Sequence, residues 1–420
     1  MTLSKPPLII GKEYLFLFLG AFSVLLLSLW LEFAHYENLT RFDDTVIDVE
    51  VLKHYHKVKD NNAYSVLKLK TLEGASFYIT TTAPLKNLTG YFVKVWVLTK
   101  YVGFLDYLKG FATKGNVISI GRSREERFIL GVQLEEIHKN RKVSQLYGAL
   151  FLALPLSSNL QNHFSKLGVS HLLAISGFHL GVLSMILLMM MQWPYRLIQS
   201  RYFPHRHGTR DLFIIVASIL GVYLLLLGSV PSLLRAYTML LVGYVLHDRG
   251  MKIISMQTLF LTILLILVLF PRLFFSMGFW LSISGVYYIF LYLQTFKEQR
   301  AWVSFLFIPL WVYILMTPIS LVLFGNYSLY HPLSVLWSIL FTLFYPLVLG
   351  LHLVGWGALF DEWIAFYLLS PVQGIVLFLP TYLLLGYILL SVVSLWHHFL
   401  RYLLLLVAFG VTVTAIYQVA

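Results

Sequence analysis

Long apolar runs separated by short polar segments recur along this 420-residue chain and constrain its fold more than any other feature. A helix needs about 20 apolar residues to cross the hydrocarbon of a bilayer, where every backbone polar group must be bonded internally. The hydrophobic fraction of 59% and the charged fraction of 12% belong to that class rather than to soluble proteins. After residue 200 the runs lie at about 212–229, 231–246, 253–270, 274–296, 301–324, 333–355, 373–395 and 402–418. The sequence therefore predicts a polytopic α-helical membrane protein.

An earlier apolar run covers residues 14–31 and follows Lys5 and Lys12. Because no small-x-small cleavage motif comes after it, we expect a retained first membrane helix with a cytoplasmic amino terminus. From residue 37 to 122 apolar and polar residues alternate with period two, and Asp60, Asn61 and Gly74 supply turns. About five strands in this segment favour a small β-barrel inserted after the first helix.

Residues 123–166 combine charged residues with an apolar stretch too short to span a bilayer, so we expect an amphipathic or interfacial connector. Residues 167–420 then form the helical membrane domain, with about eight or nine further membrane helices. Within it, the segment 194–210 contains four arginines and no acidic residue. The positive-inside rule assigns that segment to the cytoplasm. The predicted domains are thus 1–36, 37–122, 123–166 and 167–420.

The apolar run that begins near Gly168 contains polar side chains and is the most informative one. Wound as one continuous helix, it has a stripe of small residues that favours close helix packing, and a second face with His171, Ser176 and His179. A similar small-residue spacing occurs near residue 280. The predicted packing seam consists of Gly177, Gly181, Gly278, Ser282 and Gly285.

The string His171-Leu-Leu-Ala-Ile-Ser-Gly-Phe-His-Leu-Gly resembles the signature of the ComEC family of competence proteins. Pro231-Ser-Leu-Leu-Arg-Ala, Gly278-Phe-Trp-Leu-Ser-Ile-Ser-Gly and His331-Pro-Leu-Ser-Val-Leu resemble further blocks of that family's membrane domain, although Asn is expected in place of His331. The resemblance implies an oligonucleotide-binding (OB-like) fold for the barrel, on the extracytoplasmic side of the inner membrane. It also implies passage of single-stranded DNA into the cytoplasm during natural transformation.

The resemblance further implies an extracytoplasmic DNA receptor and a cytoplasmic helicase or single-stranded-DNA-binding proteins as partners, besides the lipid bilayer; we also consider a homo-oligomer. Many ComEC-like proteins carry a carboxy-terminal metallo-β-lactamase-like domain, regarded as a nuclease. This chain has no His-x-His-x-Asp-His string. We therefore expect the form without that domain, with strand degradation supplied by another protein.

Basic and aromatic residues are interleaved in the barrel segment, which suits a single-stranded nucleic acid because phosphates need positive charge and bases need rings to stack on. The alternative interpretation is a solvated lysine face around an aromatic core. The candidate DNA contacts are Lys53, Lys57, Lys68, Lys70, Lys94, Tyr64, Tyr78 and Tyr91.

Arg235 is the one charged side chain inside a predicted span after the first, and two interpretations stay open. Its side chain either snorkels to the outer interface or faces a wet cavity where it binds phosphate. The two signature histidines either bond to other helices, line the DNA path or bind metal. The outer turn near residue 326 is either a pore entrance or an ordinary polar loop. The candidate path residues are His171, Ser176, His179, Arg235, Asn326 and His331.

Several motifs are absent from the sequence, and their absence narrows the function. There is no Gly-x-x-x-x-Gly-Lys-Ser/Thr phosphate loop, no cysteine and no acidic residue within a predicted span. We therefore expect a channel and not an enzyme, with no cofactor and no metal: a passive conduit for DNA. The alternative is a transporter of a small solute or an anionic lipid precursor. A third hypothesis is an intramembrane enzyme that uses His171, Ser176 and His179.

Overall fold

A computed structural model describes residues 13–59, 62–83, 85–124, 126–250, 253–369, 372–377 and 379–419. Lys5 and Lys12, and the predicted turn at Asp60 and Asn61, lie outside the described residues. The chain divides into two compact units. The first contains residues 1–133, 245–252 and 260–279, and the second contains residues 134–244, 253–259 and 280–420.

The first unit contains a long helix followed by a closed five-stranded barrel. Its strands follow the order β1-β2-β3-β5-β4, and every neighbouring pair is antiparallel except β3 and β5. The OB-like barrel predicted after the first helix is confirmed. Its elements are α1 (Glu13–Thr40), β1 (Asp44–Lys59), β2 (Asn62–Thr71), β3 (Ser76–Thr81), β4 (Tyr91–Leu98), α2 (Phe104–Lys109) and β5 (Ala112–Arg124).

The apolar side chains of each strand face the interior of the barrel, because successive side chains point to opposite faces of a sheet. Phe77 is fully buried there and stacks on Phe111 with ring centroids 4.9 Å apart. The end of α1 joins the same core through Tyr36 and Leu39. The strand residues buried in this core are Val49, Val51, Leu67, Leu69, Phe77, Ile79, Val93, Val95 and Val97.

The rest of the described chain is almost entirely helical, apart from a two-stranded antiparallel sheet of β6 (Asn326–Tyr327) and β7 (Ile375–Val376). The connector holds α3 (Glu126–Ile137), α4 (Arg141–Leu152) and α5 (Ser158–Lys166). The helices that follow are α6 (Ser170–Leu173), α7 (Gly177–Tyr202), α8 (Gly208–Leu226), α9 (Pro231–Asp248), α10 (Met256–Leu269), α11 (Met277–Thr295), α12 (Ala301–Phe324), α13 (Ser334–Val354), α14 (Asp361–Leu369), α15 (Thr381–Val393) and α16 (His398–Val419). Short 3₁₀ turns cover Pro271–Phe275, His331–Leu333 and Gly357–Phe360.

Six helical segments within the described residues have the length and apolar composition of a membrane crossing. This confirms a polytopic membrane protein. The helices α10 and α15 are apolar but shorter. The eight or nine further crossings therefore remain a prediction. The six segments are Leu15–Thr40, Gly177–Tyr202, Gly208–Leu226, Ala301–Phe324, His331–Val354 and His398–Val419.

The expectation of one continuous helix through the signature run is wrong. Helix α6 ends at Leu173, and α7 starts only at Gly177, after an extended segment. Ser176 caps α7: its hydroxyl accepts a hydrogen bond from the Phe178 amide, and the His179 ring accepts one from the Ser176 amide. A serine whose side chain accepts a hydrogen bond from the following turn is favoured at an N-cap over a helix interior. The helix is therefore interrupted at this point.

Candidate nucleic-acid interface and buried polar sites

The outer surface of β1, β2 and β3 collects most of the predicted DNA contacts of the barrel. Lys68 lies between two core leucines of β2 and therefore points outward. The strand register places Lys53 directly opposite Lys68, Lys57 opposite Tyr64, and Lys68 opposite Tyr78. We call this surface the lysine–tyrosine face; it comprises Lys53, Tyr55, Lys57, Tyr64, Lys68 and Tyr78.

Each lysine of this face lies over an aromatic ring. The Nζ atoms of Lys53 and Lys57 are both 5.8 Å from the ring centroid of Tyr55, and that of Lys68 is 5.7 Å from the ring centroid of Tyr78. Two lysines directly opposite on neighbouring strands repel each other. The arrangement places positive charge beside aromatic rings and therefore suits an anion that carries both phosphates and bases.

The other three predicted contacts of the barrel lie elsewhere. Lys94 is on β4 opposite Asp48, and Lys70 pairs in register with Glu50 and Ser76. Tyr91 packs against the barrel core, so its ring is not an outward stacking platform. The structure thus separates these residues from the lysine–tyrosine face, and their role in DNA binding stays a prediction.

Three predicted path residues meet around the segment that joins α5 to α6. The Asn326 amide donates to the Ser165 hydroxyl at 3.1 Å, and the His331 ring lies against Gly168. His171 reaches α13, where its Nε2 lies 3.2 Å from the Ser338 hydroxyl. Gly168 has φ +73°, and a Cβ built there would lie 3.1 Å from three His331 atoms, including Cα. Only glycine fits this contact without strain.

His179 is buried beside the same helix, α13. Its ring is 2% exposed and meets the ring of Tyr345 edge-on at a centroid distance of 4.4 Å, with Phe341 at 5.3 Å. Nδ1 accepts a hydrogen bond from a backbone amide, so the neutral ring carries its proton on Nε2. That Nε2 has no hydrogen-bond partner among the described residues. The Ser176 hydroxyl lies 3.1 Å from Nδ1, but among the described residues no third group orients the imidazole as a catalytic triad requires.

Arg235 occupies neither of the two environments expected for it. The side chain is 4% exposed, and among the described residues its guanidinium forms no hydrogen bond and no ion pair. It points at the start of α7, since Nη2 lies 3.7 Å from a Cβ built on Gly177. The Arg235 side chain therefore neither snorkels to the interface nor faces a wet cavity. In this conformation it is buried.

Arg401 is a second buried arginine of the second unit, and the predicted span 402–418 missed it by one residue. It is 5% exposed, but its Nε donates to the Ser394 carbonyl and its Nη2 to the Leu395 carbonyl, both at 3.0 Å. A cation at the carboxyl end of a helix is stabilised by unpaired carbonyls and by the helix dipole. Arg401 therefore has a structural explanation in the end of α15, which Arg235 lacks.

A buried histidine pair joins the connector to α13 and α14, and sequence reasoning missed it because its members are more than 200 residues apart. His138 Nδ1 lies 2.8 Å from the Asp361 carboxylate, and His138 Nε2 lies 3.2 Å from His352 Nε2. His352 Nδ1 donates to the Val348 carbonyl. Tyr147 stacks on His138 with centroids 4.7 Å apart, and burial raises the pKa of its phenol.

In the first unit, Arg272 ties the Pro271–Phe275 turn to α1 and to the barrel. Its Nε donates to the Glu32 carboxylate at 2.7 Å, and Nη2 donates to the Tyr107 hydroxyl at 2.7 Å. The guanidinium also lies 4.8 Å from the Tyr107 ring centroid. Burial raises the pKa of Tyr107 to about 12, so the phenol is neutral at physiological pH.

The predicted glycine seam forms at only one position. A Cβ built on Gly177 would contact the Ala236 side chain at 3.5 Å. At Gly181 and Gly285 no neighbouring atom lies within 4 Å, and at Gly278 the nearest is the Ser276 hydroxyl at 3.9 Å. Apart from Gly177, the glycines of the predicted seam therefore do not mark a close helix contact among the described parts of the chain, and the role of Ser282 stays a prediction.

Taken together, a closed OB-like barrel behind a first membrane helix and a polytopic helical part define a multi-pass membrane protein. The sequence model of the family described as "Competence protein" matches residues 155–414, well over half of the chain. The chain therefore belongs to the competence protein family.

One relative, described as an uncharacterized protein of Aquifex aeolicus (strain VF5), is 28% identical over 203 residues. The match covers 48% of this chain and 43% of that protein, so the chain spans less than half the length of the relative. No solved structure matches the chain significantly.

Proposed function

We propose that this protein carries one strand of DNA across the bacterial cytoplasmic membrane during DNA uptake, as a passive conduit. Membership of the competence protein family supports a role in uptake. The observation that carries the strand-binding part is the lysine–tyrosine face, where Lys53 and Lys68 lie directly opposite each other beside aromatic rings. Phosphates of a strand relieve the repulsion, and its bases stack on the tyrosines.

The proposed orientation has the barrel outside the cell and the amino terminus in the cytoplasm. The loop after α7 and the ends of its neighbouring helices contain Arg201, Arg206 and Arg210, which suits the cytoplasmic side. The Arg272 contact to Tyr107 supports the same arrangement, because it requires the turn after α10 to lie on the barrel's side of the membrane. The positions of the basic segments between the apolar runs independently predict that the turn after α10 is external.

The polar groups of the helical part indicate how a strand would pass. His179 and Arg235 are both sealed from solvent, so this conformation corresponds to a closed state under the proposal. Passage then requires a rearrangement that exposes these donors to phosphates. The chain contains no phosphate-loop motif, so the pulling force would come from cytoplasmic partners and the DNA from an external receptor.

The test is a comparison of charge-neutralised variants of the full-length protein. The double variant Lys57→Met and Lys68→Met removes two lysines from the lysine–tyrosine face. Lys94→Met is the matched control, because Lys94 lies opposite Asp48 on another part of the barrel. For single-stranded DNA, each lost phosphate contact lowers the slope of log affinity against log salt by about 0.7, so the double variant should lose about 1.4.

In cells, the double variant should accumulate DNA outside the inner membrane and deliver less to the cytoplasm, whereas the Lys94 variant should behave as wild type. An unchanged salt slope together with normal delivery in the double variant would refute the proposed role of this face. Deletion of the whole protein with no loss of DNA delivery would instead favour the transport of a small solute.

A further inference from the structure

The amino ends of two helices meet in the second unit, around the unpaired Arg235. Arg235 lies in the first turns of α9, which begins at Pro231, and its guanidinium points at Gly177, the first residue of the 26-residue α7. The Ser232 hydroxyl donates to the Ile175 carbonyl at 2.6 Å and holds the start of α9 against the break before α7. Both helix starts therefore lie beside the same guanidinium.

This arrangement concentrates positive charge without a compensating anion. Each helix start carries roughly half a positive elementary charge, and the guanidinium adds a full one. Two residues into α7, the buried Nε2–H of His179 is a further donor without a partner among the described residues. Within the part of the chain that the structure describes, no carboxylate pairs with Arg235. An anion bound beside Gly177 would pair the guanidinium.

We propose that Arg235 and the first turn of α7 form a binding site for a phosphodiester oxyanion. The planar guanidinium matches phosphate oxygens in a bidentate manner. The Ser176 hydroxyl already accepts from the Phe178 amide and from the third amide of α7, so the Gly177 amide is the backbone donor that this helix start offers to an anion. Gly177 suits the site because the absence of a Cβ lets an oxyanion approach the backbone. A helix start alone would not define a site, but here a nearly fully buried and unpaired arginine is aimed at it.

Burial of Arg235 means that the two helix starts must separate before a ligand reaches the guanidinium. The bound anion favours the open state because it pairs a charge that is unpaired in the closed one, and a ligand shifts a conformational equilibrium by its differential affinity for the two states. A lipid headgroup and a DNA strand both supply phosphodiesters. The phosphodiester site does not depend on the proposed function. If DNA supplies the phosphodiester, the site adds a contact to the proposed DNA path.

The experiment measures thermal unfolding of the full-length protein in micelles of a maltoside detergent, which contains no phosphate. One arm adds a thymidine dinucleotide, which carries a single phosphodiester. The other arm adds phosphatidylglycerol to the micelles. Wild type should melt at a higher temperature in at least one arm, and Arg235→Met should lose that rise. Gly177→Ala should weaken the apparent affinity about tenfold, because the added methyl group keeps the oxyanion from the backbone amide and so costs about one hydrogen bond.

Gly181→Ala is the matched control, because a methyl group there meets nothing within 4 Å, and it should keep the wild-type response. An equal rise in wild type and Arg235→Met, or no rise with either phosphodiester, would overturn the site. A rise with phosphatidylglycerol alone supports the site and assigns it to a lipid headgroup. If no phosphodiester binds at Arg235 while the lysine–tyrosine face keeps the expected salt dependence of DNA binding, the proposed DNA function stands. Failure of the site and failure of the function are therefore distinguishable.

Discussion

Replacement of Arg235 by methionine should stabilise the protein while it abolishes DNA delivery. The arginine is nearly fully buried and unpaired among the described residues. An isolated buried charge costs several kcal/mol, and even paired buried charges are often replaced by apolar residues with a gain of about 1–4 kcal/mol. Methionine keeps most of the side-chain length and is flexible enough to fill the space. We therefore expect a gain of about 2 kcal/mol in the free energy of unfolding.

The comparison variant is Arg401→Met, in the other buried arginine of the helical part. Arg401 donates to the carbonyls of Ser394 and Leu395, so its loss leaves buried acceptors without donors. An unsatisfied buried group costs about 1–3 kcal/mol, and two carbonyls are affected. The expected loss of stability is about 3 kcal/mol, opposite in sign to the change at Arg235.

The assay is thermal or denaturant unfolding of both variants in the same phosphate-free detergent micelles, with DNA delivery to the cytoplasm measured in parallel. Arg235→Met should melt above wild type and deliver little DNA, whereas Arg401→Met should melt below wild type. A destabilised Arg235→Met protein would show that the guanidinium has a structural partner, and the reasoning from its isolation would be refuted. Normal delivery by a stabilised Arg235→Met protein would remove Arg235 from the DNA path.

Three further substitutions test contacts that hold the fold. Glu32→Gln removes the carboxylate partner of Arg272 and, because that pair is partly exposed, should cost about 1–3 kcal/mol; an unchanged melting temperature would contradict this. Gly168→Ala should cost about 2 kcal/mol through its left-handed backbone and the crowded ring beside it, whereas Gly410→Ala, with open space around it, should not destabilise. Asp361→Asn removes the carboxylate beside His138 and should lower the free energy of unfolding by about 1–3 kcal/mol. A variant as stable as wild type would contradict this.

Local regularities made much of the fold predictable. The alternation of Val93, Val95 and Val97 with Lys94 and Trp96 identified a barrel strand, because side chains on a strand repeat every second residue. Helix α1 runs nine residues past the predicted end at residue 31, since Tyr36 and Leu39 pack on the barrel core. The predicted span 373–395 shortens to α15, which begins after Pro380, while Ile375 and Val376 pair with β6.

The candidate sites were only partly predictable. The barrel lysines were found from composition, but strand register decided that Lys68 joins the lysine–tyrosine face and Lys94 does not. His138 lies in the predicted connector 123–166, and nothing nearby in the chain points to Asp361. A histidine that follows an amphipathic helix and an acidic residue before a short apolar helix are weak signals, and only packing joins them.

The amino-acid sequence by itself determined the membrane class, the inserted barrel and the family, because hydrophobic period, run length and short motifs are local properties of the chain. The tertiary structure alone decided which polar groups have partners. Arg235 and Arg401 are the same residue type in similar apolar surroundings, yet one meets the carboxyl end of a helix and the other meets an amino end. The physical reason is that a buried charge is stabilised or destabilised by groups distant in sequence, whose positions only the packing of helices sets.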